Sequence, residues 1–186
     1  STASPALALA APARMPILGL LQADTPAQVA AETETLLARG YRTLKVKVGF
    51  DAARDAAMVE AAQRAVAGRA RLRLDANQGY EPAAAIDFLR RLQGESIELF
   101  EQPCAAGDWD AHAAVVPVAR ERAIPLMLDE SIYDLGDIEQ AARLDAAAFV
   151  KVKLMKFGSL ARLREAIERI RALGMSPVLG NGVATD

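Results

Sequence analysis

Five ionisable residues stand at a regular spacing along this chain, and their types suggest acid–base chemistry beside a cation. Lys47, Asp75, Glu101, Asp129 and Lys153 are separated by 28, 26, 28 and 24 residues, and Lys45 precedes Lys47 by two. Each interval is the length of one strand plus one helix. Lys45 and Lys47 alternate with Leu44, Val46 and Val48, so a strand there carries both lysines on one face. Read alone, that run fits an ordinary half-exposed strand, because lysine is almost never buried without a partner. The later acids supply the partners.

The segments between these residues read as strand and helix in alternation. Strands are expected at 16–23, 43–49, 71–79, 97–103, 125–131, 147–157 and 176–183. Thr25, with Pro26 and Gln28 behind it, marks a helix start that Gly40 ends. Asp51 caps a helix with Met58, Val59, Ala62 and Val66 inward, stopping at Gly68. A third helix runs from Pro82 to Gly94 and a fourth from Asp108 to Arg122, with Pro117 expected to kink or shorten it. Helices follow from Asp134 to Leu144 and from Ser159 to Gly174, the last with Leu160, Leu163, Ile167, Ile170 and Leu173 as its buried stripe.

Seven alternations of apolar strand and helix imply a parallel sheet covered by helices. An open dinucleotide-binding sheet should carry a glycine-rich turn after its first strand, and residues 22–26 have no glycine. A closed (β/α)8 barrel instead gathers the carboxyl ends of its strands at one mouth, where the recurring charges would meet. Residues 16–186 are therefore expected to form a barrel-type catalytic domain of about seven units, after an irregular segment at 1–15.

Asp75, Glu101 and Asp129 would come from three neighbouring strands and converge. The offered donors are oxygens and the chain has one histidine, so Mg²⁺ or Mn²⁺ is favoured over zinc. Lys47 and Lys153, four strands apart, would face each other across the mouth. A substrate carboxylate on the cation would then present its α-carbon to a lysine on either side. Burial and the neighbouring Lys45 would favour the unprotonated amine a general base needs.

Composition limits the alternatives. Basic and acidic residues number 22 and 24, for a net charge of −2, and form no long block, so nucleic acid is not an expected partner. No stretch is apolar enough for a membrane helix, and the opening lacks the pattern of a signal peptide, so a cytoplasmic location is expected. One cysteine permits neither an internal disulfide nor a thiolate metal cluster. Cys104 is expected to be inert, His112 to face solvent on a helix, and Trp109 to pack between helix and barrel. Arg71 and Arg73 are expected to pair with acids lower in the barrel, and Lys151 to point inward below Lys153.

The motifs Lys45-Val46-Lys47, Leu74-Asp75-Ala76-Asn77-Gln78, Phe100-Glu101-Gln102-Pro103, Leu128-Asp129-Glu130-Ser131 and Lys153-Leu154-Met155-Lys156-Phe157-Gly158 together resemble the barrel domain of the enolase superfamily. The resemblance is to its muconate-lactonizing, mandelate racemase-like subgroup, from about Pro16 to Val183. It implies that Asp75, Glu101 and Asp129 hold Mg²⁺ and that Lys47 and Lys153 are the paired acid/base. It further implies that Lys45 helps to hold the substrate carboxylate and tunes Lys47. Asn77, Gln102 and Glu130 match positions supporting the metal ligands from behind, and Lys156 matches an auxiliary lysine.

The implied activity is a metal-dependent isomerisation of a small-molecule carboxylate, either racemisation or epimerisation with both lysines or cycloisomerisation. A β-elimination of the o-succinylbenzoate synthase kind would need one lysine as base. A Schiff-base aldolase using Lys153 leaves the three carboxylates without a role. A non-catalytic scaffold binding metal or a partner chain is a further reading. Thr185-Asp186 stand where several relatives, dipeptide epimerases included, have Glu-Ser. The eighth strand and the α+β capping domain of the superfamily are also missing, so an excised or incomplete barrel is expected, homo-oligomeric in its full-length form.

Overall fold

The computed structural model describes residues 17–181. The segment expected to be irregular at 1–15, Pro16 of the first strand, Val183 of the last and the Thr185-Asp186 pair lie outside the described residues.

Strand and helix alternate as β1 (Gly19–Leu21), α1 (Pro26–Ala38), β2 (Thr43–Lys47), α2 (Ala52–Val66), β3 (Arg71–Asp75), α3 (Pro82–Arg91), β4 (Ile97–Glu101) and α4 (Trp109–Glu121). The chain continues as β5 (Leu126–Leu128), α5 (Leu135–Arg143), β6 (Phe149–Lys153), α6 (Leu154–Phe157), α7 (Leu160–Ala172) and β7 (Ser176–Gly180). All seven strands are parallel and pair in chain order in one sheet. Over the described residues this is an α/β fold, a curled partial (β/α)8 barrel of seven strands.

Local chemistry explains the helix starts. The side chains of Thr25, Asp51, Asp108, Asp134 and Ser159 each accept a backbone N–H from the first turn of the helix they precede. Asp134 and Asp137 form a reciprocal capping box. Gly40 and Gly68 follow the ends of α1 and α2 with positive φ, the backbone form that closes a helix. α3 stops at Arg91, short of Gly94.

Period two divides each strand between two environments. Leu44, Val46, Leu72, Leu74, Phe100, Leu126, Leu128, Val150 and Val152 are buried in the apolar core of the molecule. The alternate residues point to the barrel lumen, where register pairs Lys47 with Asp75 and Asp75 with Glu101. The core forms two clusters, a larger one spanning β1 to β4 with α1 to α4 and a smaller one around β6, α5 and α7.

Several expectations need correction. Among the described residues β1 is a half-exposed edge strand paired with β2 alone, and Leu20, in register with Lys45, is 42% exposed. α4 continues through Pro117, which is exposed on the solvent side of the helix. The sixth strand ends at Lys153, and residues 154–157 turn into α6, which Gly158 closes at φ +72°. Leu160 is exposed, so the buried stripe of α7 is Leu163, Ala166 and Ile170, with Ile167 and Leu173 partly buried. Among the described residues no helix is long and apolar enough to cross a membrane.

Candidate active site

The lumen residues at the carboxyl ends of β2 to β6 form one arc of alternating charge. Lys47 Nζ lies 2.5 Å from Asp75 Oδ2, and Lys45 Nζ bridges Asp75 Oδ2 at 2.6 Å and Glu101 Oε2 at 3.1 Å. Lys151 Nζ bridges Glu101 Oε1 at 2.6 Å and Asp129 Oδ2 at 3.1 Å. Lys153 Nζ reaches the same Asp129 oxygen at 2.8 Å, and Lys156 Nζ lies 3.4 Å from Asp129 Oδ1. Five lysines thus surround three buried carboxylates. Asp129 stands one residue past the end of β5 rather than inside the strand.

Exposure separates the two lysines of β2. The Lys45 side chain is 13% exposed and is the buried one, whereas Lys47 is 42% exposed at the rim. Lys153 is 16% exposed. Lys47 also donates to Asn77 Oδ1, and Asn77 Nδ2 donates to Glu130 Oε1 at 3.0 Å. The arc is therefore tied across three strand ends.

Charge balance varies along the arc. Burial pushes the Asp75 carboxyl up, but Lys45 and Lys47 outweigh it and hold it below the usual range. At Asp129 burial is again opposed, by Lys153 and Lys151, and the pKa falls to about 2. Glu101 is different: burial and the Asp75 charge prevail over Lys45 and Lys151 and raise its pKa. Of the three carboxyls it alone is held above its ordinary value. Lys151 is held above the ordinary lysine value because Glu101 and Asp129 overcome its burial. Burial lowers Lys156, which also donates to the carbonyls of Asp129 and Ile132 and stands 4.6 Å over the Tyr133 ring.

The donor chemistry fits a hard divalent cation. Asp75, Glu101 and Asp129 offer only carboxylate oxygens, and Lys45 and Lys151 each place one ammonium between two of these carboxylates, so the arc already gathers positive charge on oxygen donors. The carboxylates are bridged pairwise by lysine. Among the described residues no three histidine, cysteine or acidic side chains form a ready metal-holding group.

Supporting residues come from the loops. Asp55, buried on α2, accepts the N–H groups of Gly49, Phe50 and Asp51 at 2.8–3.1 Å and the Tyr80 hydroxyl at 2.5 Å. Burial and Asp55 both raise the Tyr80 pKa. The loop after Lys47 is thereby fixed to the loop after Asp75. A Cβ at Gly49 would collide with the Ala76 carbonyl, and one at Gly79 with the Gly49 carbonyl, so this close approach requires glycine at both positions.

Other residues lie as follows. Gln102 is buried and accepts the N–H groups of Asp129 and Ser131. His112 does not face solvent: it is 0% exposed and contacts Gln102 and Ser131. Its place was signalled in the sequence, since 112, 115, 116 and 119 share a helix face with Val115, Val116 and Ala119. Cys104 is buried, and burial pushes its thiol to about 11. Trp109 packs partly buried against the second core cluster. Arg73 pairs with Glu98 at 2.9 Å, but Arg71 is exposed and makes no ion pair among the described residues. Lys151 points inward as expected.

Comparison with known proteins agrees with this geometry. A family model described as "Enolase C-terminal domain-like" matches residues 28–185. The L-Ala-D/L-Glu epimerase of Bacillus subtilis (strain 168) is 32% identical over 165 residues, covering 87% of this chain and 44% of the relative. The N-succinyl-L-Arg/Lys racemase of Bacillus cereus is 33% identical over 146 residues, covering 78% of this chain and 39% of the relative. A solved dipeptide epimerase from Enterococcus faecalis V583, in complex with Mg and the dipeptide L-Leu-L-Tyr, superposes with a TM-score of 0.81 at 29% identity. That match covers 90% of this chain and 47% of the other. The chain thus spans less than half the length of these relatives.

Proposed function

The chain belongs to the enolase C-terminal domain-like family, and from that premise we propose that it carries the acid–base and metal-holding half of an isomerase that epimerises or racemises an acylated amino acid or dipeptide. One observation carries the reading: Lys47 and Lys153 end β2 and β6, each hydrogen-bonded to an end member of the Asp75, Glu101, Asp129 arc.

Asp75, Glu101 and Asp129 would hold Mg²⁺, or Mn²⁺ in its place. When bound, the cation supplies Lewis-acid stabilisation for the negative charge that develops on a substrate carboxylate. Lys45 and Lys151, which stand between the carboxylates, would supply positive charge beside the substrate. Lys47 and Lys153 act on the α-carbon from opposite sides, one taking its proton and the other returning one, which inverts the centre. Asn77 orients Lys47 and ties it to Glu130, Gln102 holds the Asp129 backbone, and Lys156 anchors the segment from Asp129 to Ile132. Inversion requires both lysines, whereas elimination requires one, and the relatives described as epimerases and racemases support the first.

Exchange of the substrate α-proton in D₂O tests the reading. With Mg²⁺ and a dipeptide or N-succinyl amino acid, the protein should exchange the α-proton, and Lys47→Ala and Lys153→Ala should each reduce epimerisation at least ~10²-fold. Full exchange activity in both variants would remove the lysines from the mechanism. Insensitivity to chelator would remove the metal.

A further inference from the structure

The single histidine of the chain has no part in the proposed chemistry, yet it is fully buried behind the site. Its surroundings can be resolved atom by atom. Gln102 Oε1 accepts from the backbone N–H of Asp129 at 2.9 Å and of Ser131 at 3.1 Å, which fixes the amide so that Nε2 is the donor. That Nε2 donates to the Cys104 carbonyl at 3.0 Å and to Ser131 Oγ at 2.8 Å, with His112 Nε2 also 3.1 Å away. Ser131 Oγ receives a second N–H from Gly107 at 3.4 Å. Its own O–H therefore needs an acceptor, and His112 Nε2 lies 3.2 Å from it.

Donors thus surround His112 Nε2. A proton there would set N–H against the Gln102 amide hydrogens and leave the Ser131 hydroxyl without an acceptor. Nδ1 is buried and has no partner of good hydrogen-bond geometry among the described residues. The Nε2 side accordingly decides the tautomer. Gln102 itself has φ +40°, a conformation rare outside glycine, so this segment must be held by its contacts.

We infer that His112 is a positioning residue, a neutral imidazole protonated on Nδ1 whose Nε2 accepts the Ser131 hydroxyl and, through Ser131 and Gln102, fixes the backbone of Asp129. Burial lowers the imidazole pKa, against the Ala105 carbonyl and Asp108, which favour a proton on the ring. The Gln102 and Ser131 side chains facing it from the loops after β4 and β5 are neutral. The inference rests on the proposed function for the task given to Asp129, but not for the geometry.

Because the chain has one histidine, a long-range ¹H–¹⁵N correlation spectrum shows its ring alone. At pH 7 the spectrum should report the Nδ1–H tautomer with Nε2 as acceptor, and Ser131→Ala should shift the Nε2 resonance. In His112→Leu, amide exchange at Asp129 and Ser131 should accelerate about tenfold relative to Leu72 and Leu74, and His112→Gln, which keeps an acceptor, should recover most of the protection. Should His112→Leu fail to fold, Ser131→Ala carries the same expectation for the Asp129 amide. An Nε2–H tautomer or an imidazolium at pH 7 would overturn the inference. So would exchange that rises equally at the core amides, which marks a structural role only. Neither measurement reads catalysis, so loss of the isomerase reading and loss of this one are told apart.

Discussion

Replacing Asp129 by Asn tests the electrostatics of the arc through pH. In the folded chain burial works against the Asp129 carboxylate, but Lys153 and Lys151 dominate and hold its pKa at about 2, below the ordinary 3.8. A carboxyl depressed by folding contributes stability above its unfolded pKa and loses it as pH falls through the folded value. The difference corresponds to about 2 kcal/mol at neutral pH once partial solvent screening at the mouth is allowed for. The carboxamide of Asn resembles the protonated acid and lacks the contribution at every pH. Urea unfolding of both proteins, followed by circular dichroism in metal-free buffer, should show the native chain more stable by about 2 kcal/mol at pH 7, with about half of that gap remaining near pH 3 and little at pH 2. A gap that stays constant from pH 7 to pH 2 would refute the ion-pair account, because a packing defect does not titrate.

Two further perturbations address the cation and the loops. Lys45→Met removes the ammonium between Asp75 and Glu101 and should cost about 3 kcal/mol in metal-free buffer; added Mg²⁺ should stabilise this variant more than the native chain in thermal unfolding, and an equal or smaller gain would argue against a cation on those oxygens. Tyr80→Phe removes one of four donors to Asp55 and should cost about 1 kcal/mol, whereas Asp55→Ala strands all four and should cost about 3 kcal/mol in urea unfolding. Equal costs would mean that the carboxylate does not hold the loop.

Much of this arrangement was legible because two periods coincide. Alternation within each strand assigns lysines and acids to the lumen, and the repeat of one strand plus one helix brings them to the same end. Leu44, Val46, Leu72, Leu74, Val150 and Val152 are buried and Lys45, Asp75, Glu101, Lys151 and Lys153 line the lumen, as alternation requires. What escaped the sequence was the pairing of polar residues from distant units. Lys45 and Lys47 are equivalent by pattern, yet only Lys45 reaches two carboxylates, and it is the more buried. His112 and Asp55 each begin an apolar helical stripe, Asp55 ahead of Met58, Val59 and Ala62. A polar residue at the head of such a stripe can be buried only if another segment satisfies it, and the partners, Gln102 and Ser131 in one case and Tyr80 in the other, come from separate loops. Residues 154–157 carry too little polar contrast to distinguish a continuing strand from the helical turn that places Lys156 over Asp129.

The central claim is that Lys47 and Lys153 address one α-carbon from opposite sides. Single-epimer exchange measures this most directly: each epimer of a dipeptide is incubated separately in D₂O with Mg²⁺, and α-deuterium incorporation is followed for the native protein, Lys47→Ala and Lys153→Ala. The native protein should exchange both epimers. Each lysine variant should lose exchange from one epimer while retaining measurable exchange from the other, with the two variants opposite in preference. Loss of the same epimer in both variants, or undiminished exchange of both epimers in either, would contradict a two-sided lysine pair.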